Sequence, residues 1–164
     1  MNLVTWNKNH KFAINTIDRI NSVIYQTNPD IMYINEFNFN SNQDQSLINI
    51  PGYNIEYDKL LMNIGICRSA MYIRKGLKYT RFKKYENESD SSIVIKIGYP
   101  NQKKIHIYGI YRQWSLLNKK NEDTKNIHKQ EERWIKTIDK IQKVISENTK
   151  TFILGDINVN TLSF

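Results

Sequence analysis

The sequence predicts an α/β (α+β) fold, a β-sandwich with helices packed outside its sheets. Segments of strand and helix period follow one another as strand–helix–strand, then several strands, then helix–strand. The first predicted helix joins two short apolar strands, and a crossover of this kind indicates that the two strands pair in parallel. No repeat or linker divides the chain, so we expect one domain over residues 1–164.

A change of hydrophobic period predicts the first strand, the first helix and the second strand. Residues 2–6 (NLVTW) read as a strand, and residues 11–26 follow the period of an amphipathic helix. Pro29 ends that helix, because the residue before a proline is driven out of the α region. Residues 31–34 (IMYI) are a buried strand, and the polar composition of residues 37–49 predicts a loop. The apolar stripe of the helix consists of Ala13, Ile17, Ile20 and Ile24.

The rest of the chain contains further strand candidates and one long helix. The helix is predicted over residues 124–148, and residues 151–154 (TFIL) are the last strand. The other strand candidates are rich in Ile, Val and Tyr and are bounded by turn residues. They cover residues 53–57, 70–74, 78–82, 92–97 and 105–111. The long helix is expected to pack through Trp134, Ile138, Ile141 and Ile145.

Charge is the compositional feature that bears most on function. The 24 Lys and Arg residues exceed the 16 Asp and Glu residues and give a net charge of +8. A basic domain is attracted to polyanions, nucleic acid first, although a solvated basic surface explains the same balance. The single cysteine, Cys67, excludes an internal disulfide and a cysteine-based zinc cluster. We find no membrane-length apolar run and no secretion signal after Met1, and therefore expect no membrane partner and an intracellular location, cytoplasmic or nuclear.

Four predicted strands end in polar side chains suited to phosphate or metal chemistry. Sites in layered α/β folds form beyond the carboxyl ends of strands, so we expect these side chains to share one rim. Each also has a structural explanation, as a turn, a strand end, a solvated loop or a packed side chain, and the hypothesis depends on their coincidence. The residues are Asn7, Glu36, Tyr111, and Asp156 with Asn158.

These side chains have the composition of a magnesium-dependent phosphate site. Magnesium is held by one or two carboxylates together with water and substrate phosphate, and Glu36 with Asn7 could supply such a site. Asp156 could orient or deprotonate an attacking water. Asn158 and Tyr111 could donate hydrogen bonds to the phosphoryl oxygens.

Four motifs follow one another along the chain: VTWNKN, PDIMYINE, GIYRQW and FILGDINVN. Taken in this order, they resemble the endonuclease/exonuclease/phosphatase superfamily, and most closely the apurinic-type endonuclease domain of non-LTR retrotransposons. The resemblance implies a four-layer sandwich of two mixed sheets with helices outside. It also implies Mg²⁺ as cofactor, with Mn²⁺ as a substitute, DNA as substrate, and the reverse transcriptase portion of the same polyprotein as a partner.

The resemblance assigns roles to single residues. Asn7 and Glu36 would belong to the metal and phosphate site, and Tyr111 would contact the phosphate or the leaving group. Asp156 would act on the nucleophilic water. Asn158 would orient Asp156 or stabilise the transition state. Two further candidates rank below these: Asn9, where many relatives have an acidic or amide residue, and Arg112, which would meet a phosphate or form a surface salt bridge.

The sequence also departs from the superfamily's pattern. Arg68-Ser69 replaces the usual double glycine, which we expect to alter a loop but not the chemistry. The superfamily's last strands carry an Asp and a Ser-Asp-His motif, and none of the histidines here (His10, His106 and His128) follows Asp156. We therefore expect a domain that is incomplete at its C-terminus and weak or inactive as a nuclease. Two alternatives stay open: a non-catalytic remnant of the fold, and a phosphoinositide or sphingomyelin-type phosphatase.

Overall fold

Two four-stranded mixed sheets form the centre of the structure, a computed structural model. It describes residues 1–7, 15–40, 42–58, 66–86, 90–98, 104–112, 127–147 and 150–157, and only the backbone of residues 127–130. In the first sheet the strand order is β1 (Leu3–Asn7), β2 (Ile31–Asn40), β4 (Ile66–Arg74) and β3 (Tyr53–Tyr57). In the second it is β5 (Tyr79–Arg81), β6 (Ser91–Ile97), β7 (Ile105–Tyr111) and β8 (Lys150–Asp156).

Each sheet contains one parallel pair joined by a helix. Helix α1 (Asn15–Thr27) lies between β1 and β2 in the chain, and α2 (Ile127–Ile145) lies between β7 and β8. Strands β1 and β2 pair in parallel, as do β7 and β8, whereas the other neighbours are antiparallel. The parallel pairing expected from the first crossover is confirmed. Short 3₁₀-helices occupy Gln45–Ile48 and Lys83–Tyr85.

Side-chain alternation along the strands builds a four-layer arrangement. On β2, Ile31 and Tyr33 face the second sheet, where they pack with residues such as Ile93 and Ile107. The intervening residues of β2 pack under α1 against Ile20. On the other side of the molecule, β6 and β7 pack under α2 against Val144. The order helix, sheet, sheet, helix confirms the predicted sandwich with helices outside two mixed sheets.

Strands β2 and β8 are longer than the sequence predicted. Residues 37–40, assigned to a loop, continue β2, because Phe37 and Phe39 recur with a period of two and pack in the core under α1. At the other end of the chain, Gly155 and Asp156 lie inside β8, paired with Ile110 and Tyr111 of β7. A turn, the structural explanation of Asp156 that the sequence offers, is therefore wrong.

Helix α2 packs through a more polar face than predicted. Arg133, Thr137 and Val144 are buried, whereas Ile145, expected in the packed face, is exposed. The reason is Asp90, a buried carboxylate that precedes β6 and requires polar partners. Thr137 donates a hydrogen bond to Asp90, and the Arg133 guanidinium lies 3.8 Å from the same carboxylate.

Strand β1 lies at the edge of the first sheet and β8 at the edge of the second, as far as the described residues show. The two sheets approach each other at these edge strands. Phe152 and Ile153 of β8 are exposed large apolar side chains. Neither described helix is long and apolar enough to cross a membrane.

Candidate active site

A hydrogen bond joins the two sheets at the ends of β1 and β8. The Asn7 amide donates through Nδ2 to Oδ2 of Asp156 at 3.1 Å, across 149 positions of sequence. Asn7 is the last residue of β1 and pairs with Asn35 of β2. Asp156 is the last residue of β8 and pairs with Tyr111 of β7. The strand ends on which Asn7 and Asp156 lie thus meet at one place in the fold.

A second cross-sheet hydrogen bond lies beside the first. The Tyr111 hydroxyl donates to Oε1 of Glu36 at 2.8 Å. Tyr111 is in register with Asp156, and Glu36 follows the residue that pairs with Asn7. The two bonds therefore belong to one cluster, the four-residue site, which consists of Asn7, Glu36, Tyr111 and Asp156.

An irregularity of β2 places Glu36 in this site. The pairing of β2 with β4 shifts between Asn35 and Phe39, so three residues of β2 lie opposite a single residue of β4. Within this bulge Glu36 has a φ of 52°, in the left-handed region that is uncommon for glutamate. Such conformations cost about 1–3 kcal/mol each and occur most often at functional sites. The bulge turns the Glu36 carboxylate toward Tyr111 instead of leaving it under α1.

Tyr111 is held as a protonated hydrogen-bond donor. Only 7% of the residue is exposed, and this burial raises the pKa of the Tyr111 phenol well above its ordinary value. The hydrogen bond to Glu36 and the negative charges of Glu36 and Asp156 raise the pKa of Tyr111 further, while the charge of Arg68 lowers it. A phenol with a raised pKa remains neutral near pH 7 and can donate to a carboxylate or a phosphate oxygen.

Gly155 allows β8 to lie close enough to β7 for Asp156 to reach the site. Its φ is 130°, a conformation that L side chains rarely adopt. A Cβ atom at this position would lie 1.9 Å from the Ile110 carbonyl oxygen. The glycine before Asp156 is therefore required by a close backbone approach within the sheet.

Arg112 lies on the other face of β7 from Tyr111. Its guanidinium is 5.6 Å from the ring centre of Trp134 on α2, and the residue is buried. Its backbone N–H donates to the Asp156 carbonyl at 2.9 Å, and its Nη1 approaches the Ile157 carbonyl at 3.4 Å. Burial lowers the pKa of Arg112, an effect opposed by the charge of Asp90. The structure thus places Arg112 under α2, where it supports the end of β8, and not beside the four-residue site.

The other two candidates cannot be placed. Asn9 and Asn158 lie outside the described residues.

The oxygen atoms of this region suit a hard divalent cation. No group of three or more His, Cys, Asp and Glu side chains that could hold a metal occurs in the described part of the chain. Glu36 nevertheless supplies one carboxylate, and magnesium takes one or two from a protein. The buried Oδ1 of Asn35 has no hydrogen-bond partner among the described residues, and Asn35 pairs with Asn7. An amide oxygen of this kind is a suitable further ligand.

Comparison with known proteins identifies the family. The sequence profile described as "Endonuclease/Exonuclease/phosphatase family" matches residues 4–163, nearly the whole chain. The chain belongs to this family. None of the curated proteins matches the sequence.

Solved structures of nucleic-acid enzymes share the fold of this family member. The endonuclease domain of TRAS1, a telomere-specific non-LTR retrotransposon, superposes with a TM-score of 0.66 at 12% identity, over 96% of this chain and 59% of that one. The AP endonuclease LMAP from Leishmania major gives a TM-score of 0.68 at 14% identity, over 96% and 55% of the two chains. The 3′ phosphatase NExo from Neisseria, bound to a product DNA hairpin, gives 0.63 at 14% identity, over 99% and 60%. The chain thus spans somewhat more than half the length of these three relatives.

The structure adds two residues that sequence reasoning missed in this family member. Arg68 was expected only to alter a loop, but it lies in β4, and its charge acts on Tyr111. In the sequence Asn35 stands out only as part of the PDIMYINE motif, yet its buried side chain lies in register between Asn7 and Ser69. Both positions depend on how β2 pairs with its neighbours, a long-range feature with no local signal in the sequence.

Proposed function

We propose that the chain is a magnesium-dependent phosphodiesterase that nicks DNA, as the endonuclease domain of a retrotransposon-type polyprotein. The observation that carries the proposal is the four-residue site, in which two cross-sheet hydrogen bonds bring together side chains from four different strands. Family membership supports the reaction class, since the family comprises nucleases and phosphatases.

The residues of the site divide the work of hydrolysis between them. Glu36, Asn7 and Asn35 would hold Mg²⁺, which when bound neutralises the charge that develops on the phosphate. Asp156 orients and deprotonates the attacking water, and the Asn7 amide fixes the direction of the Asp156 carboxylate. Tyr111, kept protonated by its burial, donates its one O–H to Glu36 in this structure and would turn it to a phosphate oxygen when substrate binds.

Charge and structural likeness favour DNA as the substrate. A net charge of +8 attracts the chain to a polyanion. One relative of the same fold is a retrotransposon endonuclease domain, and another is bound to a DNA hairpin. We extend the proposal to an intracellular site of action and to the reverse transcriptase portion of the polyprotein as a partner.

Plasmid nicking tests the proposal. The purified chain should convert supercoiled plasmid to the nicked form only slowly in Mg²⁺ or Mn²⁺ and not in EDTA. Glu36→Ala and Asp156→Ala should each abolish the nicking, because acid–base and charge terms contribute about a hundred- to ten-thousand-fold to such rates. The matched control is Lys150→Gln, at the exposed opposite end of β8, which should nick at the wild-type rate.

Each outcome decides between hypotheses. Nicking that survives either alanine substitution would show that the proposed site is wrong. A chain that neither nicks DNA nor binds magnesium would be a non-catalytic remnant of the fold. Hydrolysis of a phosphoinositide or sphingomyelin without nicking of DNA would favour the phosphatase alternative.

A further inference from the structure

Arg68 occupies a unique position beside the site. Ser69 of β4 pairs with Asn35 of β2, and Cys67 pairs with Phe39, so Arg68 is the one β4 residue that lies opposite the bulge. The bulge residues facing it include Glu36, which accepts the hydrogen bond from Tyr111. Arg68 thus lies across the strand pair from the carboxylate at the centre of the site.

A hydrogen bond that Arg68 donates to a residue of the bulge fixes its guanidinium. Nη1 of Arg68 donates to Oδ1 of Asn38 at 2.7 Å. Asn38 has a φ of 52°, and its neighbours Phe37 and Phe39 are both in the core under α1, so strand alternation directs Asn38 to the opposite face. Asn38, the second residue of the bulge with a left-handed backbone, therefore positions Arg68. The first such residue is Glu36, whose own backbone conformation directs its carboxylate into the site.

The partner that holds Arg68 carries no charge of its own. Asn38 is a neutral acceptor, and no described carboxylate forms an ion pair with Arg68. The Nε atom of Arg68 is buried and has no hydrogen-bond partner among the described residues. A planar guanidinium matches the oxygens of a phosphate.

Electrostatics agree with this placement. The positive charge of Arg68 lowers the pKa of Tyr111, against the larger effects of burial and of Glu36. The cation is therefore close enough to act on the phenol of the four-residue site. A phosphate bound by Tyr111 would experience the same positive charge.

We propose that Arg68 binds a phosphate oxygen of the DNA strand beside Tyr111, and that Asn38 is the positioning residue that aims it. The inference rests on the proposed function and deepens it by naming a substrate-binding residue. The alternative is structural: Arg68 does no more than hold the bulge of β2 through Asn38.

Two variants separate these roles. Arg68→Gln removes the charge and the guanidinium. Asn38→Asp keeps the shape of the side chain, tolerates the left-handed backbone, and puts a carboxylate 2.7 Å from the guanidinium. If Arg68 only holds the bulge, Asn38→Asp strengthens that contact and leaves DNA binding unchanged. If Arg68 binds phosphate, Asn38→Asp neutralises it and weakens DNA binding.

The test measures the affinity for a fluorescein-labelled DNA duplex by fluorescence anisotropy, in EDTA so that the duplex stays intact, over a series of salt concentrations. Arg68→Gln should weaken binding by about ten- to a hundred-fold. It should also reduce the slope of log K against log salt by about 0.9, the contribution of one phosphate contact. Asn38→Asp should likewise lower both the affinity and the slope, and Arg68→Lys should recover most of the slope. Lys150→Gln, the matched loss of one charge, should leave the affinity and the slope at wild-type values.

If wild type binds the duplex, and Arg68→Gln and Asn38→Asp bind it with the same affinity and salt slope, the role of Arg68 is overturned and the proposed function stands. A wild-type chain that shows no salt-dependent binding of DNA would overturn the proposed function and this inference together. Circular dichroism of every variant checks the fold. If Arg68→Gln loses binding while Asn38→Asp is folded and binds as wild type does, Arg68 has only the structural role.

Discussion

Replacing Gly155 by alanine would add a methyl group where β7 and β8 leave no room for one. The new Cβ would lie 1.9 Å from the Ile110 carbonyl oxygen and 2.9 Å from the ring of Tyr33. The carbonyl belongs to a paired strand and the ring is fully buried, so neither can rotate away. The backbone at residue 155 has a φ of 130°, which adds strain for any residue with a side chain.

The size of the effect follows from these two terms. Backbone strain costs about 1–3 kcal/mol, and forcing an extra carbon into a packed site costs a further ~1–3 kcal/mol. We therefore expect Gly155→Ala to lower the free energy of unfolding by roughly 3 kcal/mol or more. For a chain of this size that corresponds to a fall in Tm of about 6–12 °C. Because Asp156 is the next residue, a shift of β8 by about 1 Å would also reduce nicking roughly a hundred-fold.

Thermal unfolding followed by circular dichroism measures the stability, and the rate of plasmid nicking shows whether Asp156 keeps its place in the site. The matched control is Gly98→Ala, since a Cβ there meets nothing within 4 Å and no left-handed φ is involved. The control should stay within about 0.5 kcal/mol of wild type. A Gly155→Ala variant as stable and as active as Gly98→Ala would refute the argument that close strand approach positions Asp156.

Two further predictions concern protonation. Burial lowers the pKa of His106, partly offset by the Glu147 carboxylate, so below about pH 6.5 the unfolded chain binds a proton that the folded chain does not. Stability should therefore fall as the pH drops from neutral toward 5, and His106→Gln should show a smaller fall in Tm over that range. Tyr111→Phe removes the donor to Glu36 and should slow nicking about a hundred-fold or more with the fold intact, as single-turnover rates and circular dichroism would show. Equal pH dependence in wild type and His106→Gln, or an unimpaired Tyr111→Phe, would contradict these two assignments.

Local pattern predicted the elements that are regular from end to end. The bounds of β3 (Tyr53–Tyr57) and β7 (Ile105–Tyr111) agree with the predicted strands residue for residue. Each is a run of β-branched and aromatic residues closed by turn signals. The polar composition of residues 37–49 predicts a loop and masks the start of that segment, where Phe37 and Phe39 have the spacing of a strand.

Tertiary context decided what the pattern could not. The packed face of α2 follows Arg133 and Thr137 because a buried Asp90 lies beneath it, and nothing near α2 in the sequence announces that carboxylate. The positions of Glu36 and Arg68 depend on a register shift between two strands far apart in the chain. Polar strand ends could be identified from sequence, whereas the bulge that aims Glu36 and Asn38 could not.

The central claim is that Glu36 and Asp156 act in one phosphate-cleaving site, and a double-mutant cycle on plasmid nicking tests it most directly. Glu36→Gln, Asp156→Asn and the double variant would be assayed with magnesium beside the Lys150→Gln control. Each single variant should lose about a hundred-fold or more of the nicking rate. Because the effects of residues that act as a unit are strongly non-additive, the double variant should nick at about the rate of the slower single variant. Wild-type activity in either single variant, or losses that multiply in the double variant, would contradict a shared site.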